Sequence, residues 1–209
     1  MDELSLSPLP LEVEEMLGPD GAEELDNSAI LRWEGHLVEP HHLVRNVRRA
    51  TLDGQGAAII HAKLAEMWAG RKGPRARRME AHHRLESGSE VEPDWIKDTV
   101  AEIMQGDSSA AAVVLDHAIE SNPEEGLFEL AADIALERGE TKVASGYIES
   151  LSDGPRKDMV SSRLARAEGE WKKADELEAS AISRLDPGDR VRAEISSCLL
   201  YTSDAADEE

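Results

Sequence analysis

Apolar residues in the second half of the chain recur every three or four positions, and charged residues fill the gaps. Leu127, Phe128, Leu130, Ala131, Ile134 and Ala135 fall on one stripe of a helical projection, while Glu129, Asp133 and Glu137 fall on another. Stripes of this kind, bounded by glycine and proline, predict helix pairs at 55–69 with 74–86, 93–105 with 108–121, 124–138 with 141–151 and 156–168 with 171–185. A less regular pair is predicted at 27–34 and 41–52, and a further helix is predicted to open at Pro187. Asp26-Asn27-Ser28, Glu92-Pro93-Asp94 and Asn122-Pro123-Glu124-Glu125 supply capping and first-turn residues where helices are expected to start. No strand-like alternation is read, so the chain is expected to be all-α.

Glycines that close the apolar stretches recur at Gly35, Gly70, Gly106, Gly139 and Gly169, at intervals of 35, 36, 33 and 30. Trp33-Glu34-Gly35 and Trp68-Ala69-Gly70 share a longer local pattern. Ala111, Ala144 and Ala174 each follow a glycine by five residues; Ala118, Leu151 and Ala181 come next, then Pro123, Pro155 and Pro187. Each residue type has a physical role: glycine turns the chain between two helices, alanine lets helices approach closely, and proline opens the next helix. The pattern resembles the tetratricopeptide repeat family, best in the unit holding Phe128, Ala131, Ala132, Gly139, Ala144, Ile148 and Pro155, and next in the unit holding Trp95, Gly106, Ala111, Leu115, Ala118 and Pro123. The resemblance covers about residues 91 to 187 with moderate specificity and 27 to 90 only weakly, where Arg75 and His82 replace expected small residues. It implies helix-turn-helix repeats stacked as an α-solenoid.

Charge divides the chain. Residues 1–31 hold nine acids and no base, residues 32–90 hold eleven bases and seven acids, and the whole carries a net charge of −21. With 3% aromatic residues, this balance argues against a general nucleic-acid or anionic-membrane binder. Residues 1–26 read as an acidic, partly disordered arm, with a short helix near Leu11 to Leu17, that could fold back onto the basic second unit. Residues 27–197 read as the helical repeat domain, of about five hairpins. Residues 198–209 resemble translated adapter read-through at the end of a metagenomic reading frame and are read as a non-native tail; Cys198, the single cysteine, lies there. A start at Met1-Asp2-Glu3, without a basic or apolar leader, and the lack of a long apolar run lead to the expectation of a cytoplasmic protein with no membrane partner.

No nucleophile, phosphate-loop or metalloprotease motif is read. Gly54-Gln55-Gly56 lacks the preceding strand and third glycine of a dinucleotide site and is read as a loop between helices. His41-His42, His82-His83, His36 and His61 are set aside as metal ligands, because adjacent histidines on a helix point about 100° apart; they are read as surface or groove-lining residues. No catalytic, cofactor or metal residues are nominated, and the protein is expected not to be an enzyme. The expected function is a scaffold that binds a protein or peptide partner in its concave groove. By the family's geometry, the groove would be lined by Ile60, Leu64, Met67 and Trp68, by Glu129, Asp133 and Glu137, and by Arg156, Arg163 and Arg166. The acidic and basic stripes read equally well as a ladder of salt bridges between neighbouring helices. Two alternatives stand beside this reading: a regulatory or adaptor segment of a larger enzyme, and a nucleic-acid-associated protein using the basic 45–78 region, where Arg71-Lys72-Gly73-Pro74-Arg75-Ala76-Arg77-Arg78 is the densest run.

Overall fold

The computed structural model describes residues 1–17, 19–186 and 188, and the chain divides into two compact units, Met1–Ser121 and Asn122–Glu209. The described residues are mostly helical. The helix predicted from Pro187 and the tail at 198–209 lie outside them.

The first unit begins with α1 (Asp2–Leu6), β1 (Leu11–Glu12), α2 (Val13–Met16) and α3 (Pro19–Asn27), then β2 (Leu31–Glu34), β3 (Leu37–Pro40) and α4 (His42–Thr51). It continues with α5 (Gly54–Ala69), α6 (Pro74–Glu86), α7 (Pro93–Met104) and α8 (Ser108–Ser121). Two expectations are corrected here. Residues 27–34, predicted as a helix, instead end α3 and form β2, which pairs antiparallel with β3 while β1 pairs with the other edge of β3. A two-residue loop, Gly35-His36, joins β2 to β3, and Gly35 has φ +63 at the first central position, where a II′ hairpin turn takes glycine. The Trp33 indole N–H donates to Asp26 at 2.6 Å, tying the hairpin to the end of α3. Residues 1–26, expected as a partly disordered arm with a short helix near Leu11 to Leu17, hold α1, β1, α2 and most of α3; Leu4, Leu6 and Leu11 are buried, and Leu11 faces Val38 across the β1–β3 pair. Gly54-Gln55-Gly56 likewise is the first turn of α5 rather than a loop, capped by the Asp53 carboxylate, which accepts from the Gly56 N–H at 2.6 Å.

The second unit comprises α9 (Glu125–Glu137), α10 (Thr141–Glu149), α11 (Pro155–Ala167) and α12 (Trp171–Arg184). Its helices stop where the glycines stand. Gly139 and Gly169 have φ of +73 and +79, the Glu140 N–H donates to the Ala135 carbonyl, and the Glu170 N–H to the Ala165 carbonyl, both at 2.8 Å. This double-bonded cap favours glycine because a side chain in the left-handed region costs about 1–2 kcal/mol. Gly70, by contrast, is right-handed at φ −75, and Gly35 sits in a strand turn, so the even spacing of glycines conceals different local structures. The alanines predicted to lie where helices cross are buried in their respective units: Ala111, Ala144, Ala174 and Ala181 are 0% exposed, and Ala118 is 2%. In the second unit, Ala132, Ile148, Leu151 and Val160 form a core joined by Phe128, Tyr147 and Leu164.

Candidate functional site

In the first unit, α5 and α6 present an apolar face on which the chain's own N-terminal segment lies. Leu4 and Leu11 enter one cluster with Leu64, Trp68, Ala76 and Met79, and Met1, Leu9, Met16, Leu17 and Leu25 pack around it. Of the residues expected along an open groove, Leu64 and Trp68 are therefore core, each 2% exposed, while Ile60 and Met67 pack against that core from its edge. The physical reason is hydrophobic: covering a Leu or Trp side chain stabilises by roughly 1.5–3 kcal/mol, and the leucines of residues 1–17 are close enough in space to do it.

The polar contacts of this segment run both to its backbone carbonyls and to its carboxylates. Arg45 donates to the Ser5 and Ser7 carbonyls, both at 3.2 Å, Arg71 to the Glu15 carbonyl at 2.7 Å and Arg75 to the Pro10 carbonyl at 2.9 Å. Arg75 also grips the Glu15 carboxylate with two bonds of 2.6 and 2.8 Å. Lys63 pairs with Glu3 at 2.6 Å and Arg48 with Asp2 at 3.7 Å. Burial pushes the Glu15 carboxyl up, but the Arg75 bond, the Glu12 N–H and the charges of Arg75 and Arg71 outweigh it and hold the group below the usual carboxylate range. The basic run weighed for nucleic acid is thus largely engaged within the chain: Arg71 and Arg75 hold the N-terminal segment, Arg77 meets Glu80 and Glu102, and Arg78 meets Asp107. Arg71 also lies over the Trp68 ring at 4.3 Å.

The charged stripes of the second unit meet each other. Arg156 and Arg163 of α11 approach Glu129 of α9 at 3.8 and 4.0 Å, and Arg163 pairs with Asp133. Arg166 turns instead to Glu178 and Asp175 of α12, and Glu137 stays exposed at the end of α9. Glu129, Asp133, Arg156 and Arg163 are therefore brought together as an interhelical ladder. Arg166 and Glu137 are not part of it.

A third place was not anticipated. His61 on α5, His82 and His83 on α6, and His117 on α8 come together, with Leu6 beside His82 and Ser7 beside His83. One ligand atom from each of His61, His82 and His83 lies within 4.8 Å of the others, as do those of His82, Glu86 and His117. The reading of His61 and His83 as surface residues is corrected: they are 4% and 0% exposed, and their Nδ1 atoms share one proton in a 2.8 Å hydrogen bond. The Ser7 hydroxyl faces His83 Nε2 at 3.5 Å. Burial pushes His82 down to about 4, opposed by Glu86 and by a hydrogen bond with the Leu6 backbone, and pushes His83 down to about 3, helped by the neighbouring His82 and His61. These imidazoles are accordingly neutral at pH 7, the form that offers a lone pair to a metal. His82 Nε2 is buried without a hydrogen-bond partner. The 100° divergence of neighbouring helix positions holds for α6 alone; His61 and His117, arriving from α5 and α8, close the angle that one helix leaves open.

His36 and His42 are exposed, and His41 stacks on His42 with ring centres 4.5 Å apart, away from any such group among the described residues. Among the described residues no helix is long and apolar enough to cross a membrane. No protein-family profile, curated protein or solved structure matches the chain.

Proposed function

We propose that this chain is a non-catalytic, cytoplasmic scaffold that binds a protein or peptide segment, and that the α5–α6 face is its recognition surface. The observation that carries the reading is the capture of four backbone carbonyls of residues 5–15 by Arg45, Arg71 and Arg75, beside leucine anchors at Leu4 and Leu11. Arginines aimed at main-chain oxygens read a segment's path, apolar pockets read its leucines, and ion pairs such as Lys63–Glu3 add a preference for acidic sequence. The favoured partner is thus an acidic, leucine-bearing segment that replaces the chain's own. Stacking of the hairpins as a tetratricopeptide-like solenoid belongs to the same proposal.

A labelled peptide of residues 1–17 tests it in trans. The tethered copy competes at an effective concentration on the order of millimolar. Binding is therefore expected to be weak to the wild-type chain and saturable to a chain carrying Leu4→Ala and Leu11→Ala. Equal binding of a scrambled peptide, or no binding to the loosened and still helical variant, would remove the reading.

A further inference from the structure

We propose that His82, Glu86 and His117 form a binding site for one divalent transition-metal ion of the zinc class. Residues 82 and 86 are four apart on α6, so their side chains stack on one stripe, and α6 packs against α8, which presents His117 towards that stripe with the His82 and His117 ring centres 6.5 Å apart. A zinc ion holds nitrogen and oxygen ligands at about 2.0–2.2 Å, which sets tetrahedral donors about 3.4 Å apart. The donors here lie within 4.8 Å of one another, so side-chain torsion changes at exposed Glu86 and half-buried His117 are what would close the set.

Two features separate this trio from a packed cluster of neutral rings. His61 and His83 satisfy each other through their Nδ1 atoms, whereas His82 Nε2 is buried with no partner, a state that is unfavourable unless something accepts its lone pair. A backbone hydrogen bond between His82 and Leu6 is the kind of outer support that metal-bound imidazoles usually have. Two imidazoles with one carboxylate suit zinc, cobalt, nickel or ferrous iron, while magnesium and calcium prefer all-oxygen sets. Exposure of Glu86 leaves one side of the ion open to water.

The test titrates the full chain with Zn²⁺ by calorimetry and with Co²⁺ by its visible absorption, in the presence of excess Mg²⁺. One equivalent should bind per chain, with a cobalt spectrum of low coordination number. Glu86→Gln, at an exposed position that leaves folding intact, and His117→Ala, checked by circular dichroism, should each weaken binding by more than the ~10–100-fold that loss of an outer support costs. His41→Ala with His42→Ala should change nothing. The proposal is overturned if the wild type shows no saturable binding, if Glu86→Gln binds like wild type, or if the ion is lost only with the His41 and His42 pair. Loss on His61→Ala with full retention on His117→Ala would place the ion in the deeper trio and overturn this ligand set.

Discussion

Truncating Leu4 to alanine separates a docked N-terminal segment from a loose one more cleanly than any other single change. Leu4 is 2% exposed and touches the cluster of Leu64, Trp68 and Met79. Removing the buried atoms forfeits transfer free energy of about 2 kcal/mol, and the cavity left behind adds to it, so that Leu→Ala at core sites costs about 2–5 kcal/mol. The segment is held from one side and can settle partway into the gap, which places the expected loss near the lower end, about 2–3 kcal/mol. Urea unfolding read by circular dichroism measures the global change, and because two compact units can unfold separately, amide exchange resolved over residues 1–17 and 54–86 assigns the loss to the first unit. Wild-type exchange in residues 1–17 as slow as in α6, with a common acceleration in Leu4→Ala, is the expected pattern. A change under ~0.5 kcal/mol, with residues 1–17 already exchanging freely in the wild type, would show that the leucine is not buried in solution.

Acid should loosen the same contact. The Glu15 carboxyl is held below its unfolded value, so its contribution is fully present above the usual carboxylate range and is lost as pH falls through the lowered value; protection of the amides in residues 10–17, taken relative to their intrinsic exchange at each pH, should fall on acidification, and Arg75→Gln should flatten that dependence. In the two repeat-like regions, Ala118→Leu and Ala144→Leu should each destabilise by about 1–3 kcal/mol through overpacking, and melting curves that coincide with wild type would disprove the helix crossings. Gly139→Ala should cost about 1–2 kcal/mol for backbone reasons alone, since no atom lies within 4 Å of the added carbon; Gly70→Ala, in a right-handed position, should cost less, and the reverse order in thermal melts would contradict the assigned caps.

The second half of the chain was legible because its punctuation is local. Pro93 and Pro155 open helices, Gly139 and Gly169 close them, and the alanine spacing follows from one helix meeting the next. The first third was harder because its decisive interactions are distant in sequence. Leu31 to Pro40 is a short run whose two-residue Gly35-His36 loop signals a hairpin, but the Trp-x-Gly likeness to residues 68–70 suggests a helix end instead. Leu4, Leu6, Leu9 and Leu11 mark residues 1–17 as apolar enough to pack, a signal outweighed by the nine acids of residues 1–31. The interhelical ladder of Glu129, Asp133, Arg156 and Arg163 follows from spacings of four on α9 and seven on α11, whereas the meeting of His61, His82 and His117 depends on how three helices lie together. One-dimensional periodicity carries no such information.

The pairings of Lys63 with Glu3 and of Arg75 with Glu15 each span 60 residues, and this separation has a consequence during synthesis. Residues 1–17 leave the ribosome well before α5 and α6 exist, and at ~5–20 residues per second they wait about 3–12 s for the surface that buries their leucines. For that interval an acidic, leucine-rich segment is open to chaperones and to other nascent chains, and its five negative charges, with no base among them, are what keep it from associating while it waits. The acidity that makes the segment look disordered in sequence thus serves the chain before it folds, and Arg48 of α4 and Arg75 of α6 convert it into a contact afterwards by pairing with Asp2 and Glu15.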